Sequence, residues 1–303
     1  MSPSPLEATF IKTLHHKPYA AISPLRPELS QAGRTVLVSG GSAGIGFATA
    51  RAFVQAKAAR VIVTGRRPAL VAEAAAKLAA EASPATTVSG IATDSSSLAD
   101  TEALWAQFAA DGVVVDVLVL SAAAVGEPTP LLRAPLAGVW AAYETNVRAL
   151  LDYAQRFAAQ AGQGHGKKYL VNISTSAIHN FDTQGEVMPA YGITKSAGTV
   201  LLQRAAQDVA AAELQIVSFH PGGVLTQAAR DAGYDESSIA WDDENLPGQW
   251  AVWAATDEAG FLHGRYVAAW WDVDELKTGE VAKRIAAGEP TFLRVGVVGL
   301  APQ

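Results

Sequence analysis

The chain predicts an α/β protein: one doubly wound parallel sheet of about seven strands with helices on both faces. Three observations lead there. Short β-branched and aliphatic runs, of the kind buried on both faces of a parallel sheet, alternate with alanine-rich stretches of helical pattern. The first two runs, Thr35 to Ser39 and Arg60 to Thr64, have a helical pattern between them and close a βαβ unit of about thirty residues. The first run also ends in a glycine cluster that opens directly into that helix.

Composition bounds the class. The 303 residues carry a formal charge of −6 with no basic stripe, which argues against nucleic acid and anionic membranes as partners. There is no cysteine, so disulfides and thiolate catalysis are excluded and a reducing compartment fits. The start, M-S-P-S-P-L-E-A-T-F-I-K, lacks a basic region followed by an apolar run, and no window holds about eighteen uninterrupted apolar residues. A soluble, cytoplasmic protein without a metal site is expected. The expected division is an N-terminal extension over 1–33 and a single domain over 34–303, with a substrate lid at about 227–262 and a tail over 270–303.

The extension carries prolines at positions 3, 5, 18, 24 and 27, and its one short helix is expected around Leu6 to Leu14. His15 and His16 read as a solvated pair. Gly40, Gly44 and Gly46 then sit on a strand-to-helix turn, where backbone without Cβ atoms approaches a pyrophosphate and free helix amides face it. Gly40-Gly41-Ser42-Ala43-Gly44 also fits the G-x-S-x-G nucleophile elbow. It lies on the first strong strand, however, so no earlier strand can supply the rest of an oxyanion hole. The second strand ends in Gly65-Arg66-Arg67, with no acid for a ribose 2′-hydroxyl and two guanidinium groups for a 2′-phosphate, hence NADP(H).

Pro68 to Ala82 reads as an exposed helix with Glu73, Lys77 and Glu81 at i, i+4 spacing, and Thr87 to Thr93 as the third strand, ending at Asp94. The Asp94-Ser95-Ser96-Ser97 stretch caps the next helix, Leu98 to Ala110. Asp116 to Leu120 is the fourth strand and runs into Ser121-Ala122-Ala123-Ala124. Leu136 to Gln160 predicts one long helix with Trp140, Tyr143, Val147, Leu150, Leu151 and Ala154 on its apolar faces, interrupted by Asn146. Further strands are Tyr169 to Ile173, Gln215 to Phe219 and Arg265 to Ala269. Gln227 to Asn245 is polar and irregular, as a mobile lid would be, and Leu246 to Thr256 is helical.

Tyr191 and Lys195 are four residues apart at the start of a helical pattern, so both project from one face. A free tyrosine has a pKa near 10, and an ammonium one turn away favours the phenolate, making a usable general acid or base. A hydroxyl from Ser174-Thr175-Ser176, at the preceding strand end, can hold the substrate oxygen. The intervening loop, Ala177 to Pro189, is expected to bulge over the substrate with His179, Phe181 and Met188 lining it.

In combination and in this order, these motifs resemble the short-chain dehydrogenase/reductase family over roughly residues 33 to 270. The tail W-W-D-V-D-E-L-K from Trp270 is similar to that of a group of fungal members. The resemblance implies a Rossmann sheet that binds NADP(H) through Gly40, Ser42, Gly44, Ile45, Gly46, Arg66, Asp94 and Ser121. It further implies Pro221, Gly222, Val224 and Thr226 at the nicotinamide carboxamide, and Tyr191 and Lys195 at its ribose. Tyr191 would be the general acid or base, Lys195 would lower its pKa, and Asn146 would hold a water in a proton path. Counting from Asn172 puts Thr175 at the catalytic hydroxyl, with Ser176 and Ser174 as alternatives. One departure stands out: Leu120-Ser121-Ala122-Ala123 replaces the family's Asn-Asn-Ala-Gly, which puts local support and cofactor affinity in question.

The implied activity is reduction of a ketone or aldehyde, or the reverse, on a small-molecule substrate, the lid aromatics Tyr234 and Trp241 hinting at a bulky apolar or polyketide-like one. A homodimer or homotetramer is the family habit. An isomerase, dehydratase or epimerase on the same scaffold, or a non-enzymatic nucleotide-binding protein, are the competing readings.

Overall fold

The most apolar pieces of the chain become the centre of the sheet. The computed structural model describes residues 10–161, 164, 166–179, 188–231 and 233–297. Its seven strands are β1 (Thr35–Ser39), β2 (Arg60–Gly65), β3 (Thr87–Ala92), β4 (Val117–Leu120), β5 (Lys168–Ile173), β6 (Leu214–His220) and β7 (Arg265–Ala268). They lie in the order β3-β2-β1-β4-β5-β6-β7, every pair parallel. The order reverses between β1 and β4, and ligands of such sheets bind outside the carboxyl ends of the strands at that reversal.

Strand side chains alternate between two cores. Val36, Val38, Val61, Val63, Val117 and Val119 face one, together with Phe53, Trp250 and Trp253. Leu37, Ile62, Leu118, Leu120 and Leu170 face the other, together with Trp105, Tyr153 and Phe157. The helices among the described residues are α1 (Gly44–Gln55), α2 (Pro68–Glu81), α3 (Leu98–Ala110), α4 (Leu136–Tyr143), α5 (Ala149–Ala158), α6 (Pro189–Ala205), α7 (Gln227–Asp231), α8 (Asn245–Ala254), α9 (Val273–Thr278) and α10 (Glu280–Ala286).

Several expectations need correction. The long helix from Leu136 is broken into α4 and α5 by a π-helical turn, Glu144–Arg148, which carries Asn146. The Asn146 carbonyl there approaches α6 so closely that a Cβ on Gly198 would collide with it; a π turn lets a carbonyl swing out of register in this way. Trp140 (61 % exposed) and Leu151 (38 %) face outward, not into the core. Around the expected helix at Leu6 to Leu14, the described residues show Leu14 in an antiparallel bridge with Trp271; residues 6–9 lie outside the described ones.

His15 and His16 are not simply solvated: they pair with Asp272 (2.8 Å) and Asp242 (2.6 Å). Only the first part of the expected lid is surface. Leu246, Trp250 and Trp253 of α8 are fully buried, as are Ala259 and Leu262. The tail likewise packs inward through Trp270, Trp271, Val273, Leu276 and Val281.

Candidate active site

Where the sheet order reverses, a cleft of about 420 Å³ opens at the strand ends. Its floor is the turn from β1 to α1. Gly40 there has φ +74°, and a Cβ would stand 2.6 Å from the Ala122 nitrogen. The turn is thus pressed onto the segment after β4, and this close approach explains small residues at Ser121, Ala122 and Ala123. Ala43, the residue before α1, makes no side-chain cap, and the first turn of the helix has no acid. Its leading amides therefore remain for an anion. Gly40, Ser42, Gly44, Ile45, Gly46 and Ser121 all line the cleft.

At the β2 end, Arg66 and Arg67 both line the cleft and are exposed. Arg67 therefore shares the position that the sequence reading reserved for Arg66. Asp94 lines it too, and its Oδ1 accepts from the Ser96 amide (2.9 Å) and hydroxyl (2.7 Å). The cap of α3 is Ser97, which accepts from the Asp100 amide.

At the other end stand Tyr191, Lys195 and Ser174. Tyr191 and Lys195 occupy successive turns of α6. The Lys195 Nζ donates to the Ile173 carbonyl at 2.6 Å, which fixes the ammonium under the strand end. Burial pushes the Tyr191 phenol up to about 12, and the Thr175 hydroxyl beside it draws it partly back. Burial likewise brings Lys195 down to about 8. The Coulomb pull expected from helical spacing is therefore not what governs these two groups. Desolvation disfavours both charged forms and leaves a neutral phenol that holds its proton.

The three candidate hydroxyls separate on hydrogen-bond bookkeeping. Thr199 donates its proton to the Lys195 carbonyl (2.8 Å). In the 2.7 Å contact between Ser174 and Thr199, Ser174 must then be the donor, and it has no proton left for a substrate. Thr175 is not among the cleft-lining residues; it accepts from the Ala177 amide at 3.3 Å and turns its own proton to the Tyr191 oxygen, where a substrate oxygen lodged beside that phenol can take it over. Ser176 is fully buried in the 3₁₀ turn Ser176–Ile178.

Asn146 is a brace. Its Nδ2 donates to the Ala124 carbonyl (2.7 Å) and the Thr194 hydroxyl (2.9 Å), while Oδ1 accepts from the Ala124 amide (2.8 Å). Both amide protons are spent on protein, leaving one lone pair of Oδ1, so the side chain has little to offer the expected water path. It ties the chain after β4 to α6 and supplies support there that the Leu120-Ser121 departure put in question.

Pro221 and Thr226 reach the cleft; Gly222 and Val224 are not among its lining residues. Gly222 packs on the Asp242 carboxylate, and Val224 is buried. The segment expected to form a lid is more regular than its sequence suggests: α7 occupies its start, and the Thr226 hydroxyl caps that helix by accepting from the Ala229 amide (3.2 Å). Of the loop residues, Phe181 lies outside the described ones. His179 packs edge-on against Tyr266 of β7, ring centroids 5.7 Å apart. Burial raises the Tyr266 phenol, and the neighbouring Tyr191 raises it further. His220, at the end of β6, is brought down to about 3 by burial and by the nearby His179, so it stays neutral. Neither Tyr266 nor His220 lines the cleft, and no sequence signal marked them: Tyr266 lies inside β7, and the motif after His220 begins only at Pro221.

A family model described as short chain dehydrogenase matches residues 34–237. The chain belongs to the short chain dehydrogenase family. The short chain dehydrogenase/reductase AacuD of Aspergillus aculeatus is 36 % identical over 288 residues, 95 % of this chain and 96 % of the relative. A short chain dehydrogenase/reductase of Claviceps purpurea is 33 % identical over 289 residues, 95 % of this chain and 94 % of the relative.

Among solved structures, an NADP active-site complex of RhlG from Pseudomonas aeruginosa superposes with a TM-score of 0.70 at 23 % identity, over 80 % of this chain and 97 % of that one. A candidate NAD(P) dependent gluconate 5-dehydrogenase from Beutenbergia cavernae with bound NADP gives 0.69 at 26 %, over 83 % and 100 %. Membership in this family makes the chain an oxidoreductase of the NAD(P)(H)-using kind. Among the described residues no helix is long and apolar enough to cross a membrane.

Proposed function

We propose that the protein is a single-domain NADP(H)-dependent reductase of a ketone or aldehyde, working also in the alcohol-oxidising direction. The observation that carries this is the pairing of two ends of one cleft: Arg66 and Arg67 at the nucleotide end, and Tyr191 with Lys195 at the other. The residues fit an NADP(H) molecule. Uncapped α1 amides and the Gly40 turn suit its pyrophosphate, Asp94 its adenine side, and the two guanidinium groups a 2′-phosphate. Pro221 and Thr226 suit the nicotinamide side, where Val224 was also expected, and Lys195 the adjoining ribose. When bound, the cofactor supplies a hydride to the carbonyl carbon.

The protein's own part is the proton and the placement of the oxygen. Thr175 donates a hydrogen bond to the substrate oxygen and holds it beside the Tyr191 hydroxyl. Tyr191, a neutral phenol whose charged form burial disfavours further, gives its proton to that oxygen as negative charge builds there. Lys195, charged below about pH 8, stabilises the phenolate that is left. In oxidation the same groups run in reverse.

His179 and Tyr266, packed edge-on to each other with Tyr266 near Tyr191, make aromatic surroundings that suit a bulky, largely apolar substrate. Exposed Leu132, Leu136 and Trp140 offer apolar surface for a homodimer or homotetramer. The test is NADPH consumption over a panel of carbonyl compounds with wild type and Tyr191→Phe. Turnover is expected to fall by about 10²–10⁴-fold with NADPH binding retained; unchanged turnover in the variant would refute the assignment.

A further inference from the structure

One buried carboxylate joins three segments that the sheet does not hold together. After β6 the chain turns through Gly222, whose φ of +101° excludes other residues and whose missing Cβ leaves room for the Asp242 carboxylate. Asp242 Oδ2 accepts from the Gly223 amide at 2.8 Å, and the Asp242 amide donates to the Gly223 carbonyl at 2.7 Å. Residues 223 and 242 are thus fastened side by side, and the chain between them forms a loop with a closed base. That loop carries Thr226, Gln227 and Asp231 into the cleft.

The second carboxylate oxygen, Oδ1, pairs with His16 Nδ1 at 2.6 Å, and the Asp243 amide donates to the His16 carbonyl at 2.9 Å. The Asp242 side chain is 8 % exposed and that of His16 65 %. His16 is itself anchored: Leu14 bridges Trp271, and the Lys12 and Thr13 amides donate to the Glu275 carboxylate at 2.8 and 3.0 Å. A carboxylate so buried needs donors for both oxygens, since an unmet one costs its full desolvation. Here one donor comes from the cleft wall and the other from the N-terminal segment, over 200 residues away in sequence.

We propose that Asp242 is a positioning residue for nucleotide binding: it locks the base of the lid and the Pro221–Thr226 turn to the N-terminal segment through His16. The N-terminal segment is then part of the binding apparatus, although none of its described residues lines the cleft. This rests on the reading of the cleft as an NADP(H) site, and the test reads binding directly so that the two can fail separately.

NADPH affinity is titrated by nicotinamide fluorescence in wild type, Asp242→Ala, Asp242→Asn and His16→Ala, with thermal unfolding of each in parallel. Asp242→Ala is expected to weaken NADPH binding about tenfold or more, as loss of a hydrogen bond to a charged group does. His16→Ala should weaken it about threefold, and Asp242→Asn, whose carbonyl can still accept from Gly223, by less than Asp242→Ala. A folded Asp242→Ala protein with affinity within about twofold of wild type would overturn the proposal. So would losses that follow the melting temperatures alone, with Asp242→Asn as weak as Asp242→Ala. If Asp242→Ala does not fold, unchanged affinity in both other variants overturns it. Wild type that binds no NADPH removes the cofactor reading and this proposal with it.

Discussion

At the nucleotide end of the cleft the partners are mostly backbone groups on one strand-to-helix turn; at the other end they are side chains gathered from the end of β5, from α6 and from the segment after β6. The first arrangement is largely local, since Gly40 to Gly46 lie on one turn and pack on its immediate neighbours, the end of β2 and the Ser121-Ala122 segment, with Thr226 beside Gly44. The second depends on packing across the sheet: Thr175 after β5 meets Tyr191 only once α6 is packed on that strand end, and Tyr266 stands near Tyr191 only once β7 has joined β6. The lesson is that the local end should tolerate change at the substrate end, and the distributed end should not tolerate loss of a single hydrogen-bond donor.

The sharpest break in that contrast is at the hydroxyls. Thr175→Ala should lower turnover about 100-fold, as removal of one preorganised donor does, while Thr175→Ser keeps most of it. Ser174→Ala, whose proton already goes to Thr199, should cost much less; equal losses at both positions in steady-state kinetics would show the bookkeeping to be mistaken.

Next in size is the opposite end. Arg66→Ala should raise the KM for NADPH by about 10–100-fold and leave that for NADH nearly unchanged, with kcat little altered. A similar effect from Arg67→Ala would divide the 2′-phosphate between the two guanidinium groups, which both reach the cleft.

The smallest effect is that of pH. Lys195 holds its proton in the folded chain up to about pH 8, so the reduction rate should be flat on the acid side and fall about tenfold per unit above that point. Stability moves the other way. Unfolded lysine keeps its proton to 10.5, so between about 8 and 10.5 the unfolded chain binds more protons and folding stability rises with pH. Rate profiles and thermal melts over the same range therefore separate a catalytic titration from unfolding.

Much of this was legible in the sequence. Each strand has an aliphatic or β-branched centre, from V-L-V-L in β4 to the sparser T-V-S-G-I-A of β3, so their number and approximate limits follow from the sequence, and the glycine turn, the two arginines and the Tyr191–Lys195 spacing each carry a local physical signature. What was hidden depended on long-range contacts. The π turn at Asn146 answers to the proximity of Gly198 on another helix, and Trp270 and Trp271 are core because the N-terminal segment crosses them. The electrostatics were hidden for the same reason. Helical spacing placed Lys195 beside Tyr191 and so suggested a lowered phenol, but the depth of burial, which spacing does not encode, raises it instead.

The central claim is that this cleft moves a hydride to a carbonyl carbon while Tyr191 supplies the proton. Wild-type protein is given NADPH carrying deuterium at nicotinamide C4 and a carbonyl compound that it consumes, and the product is analysed by mass spectrometry. The account predicts an alcohol with one deuterium on the former carbonyl carbon, for transfer from the labelled face, and one NADPH oxidised per product. Product formed without NADPH oxidation, as an isomerase or dehydratase would give, would contradict it.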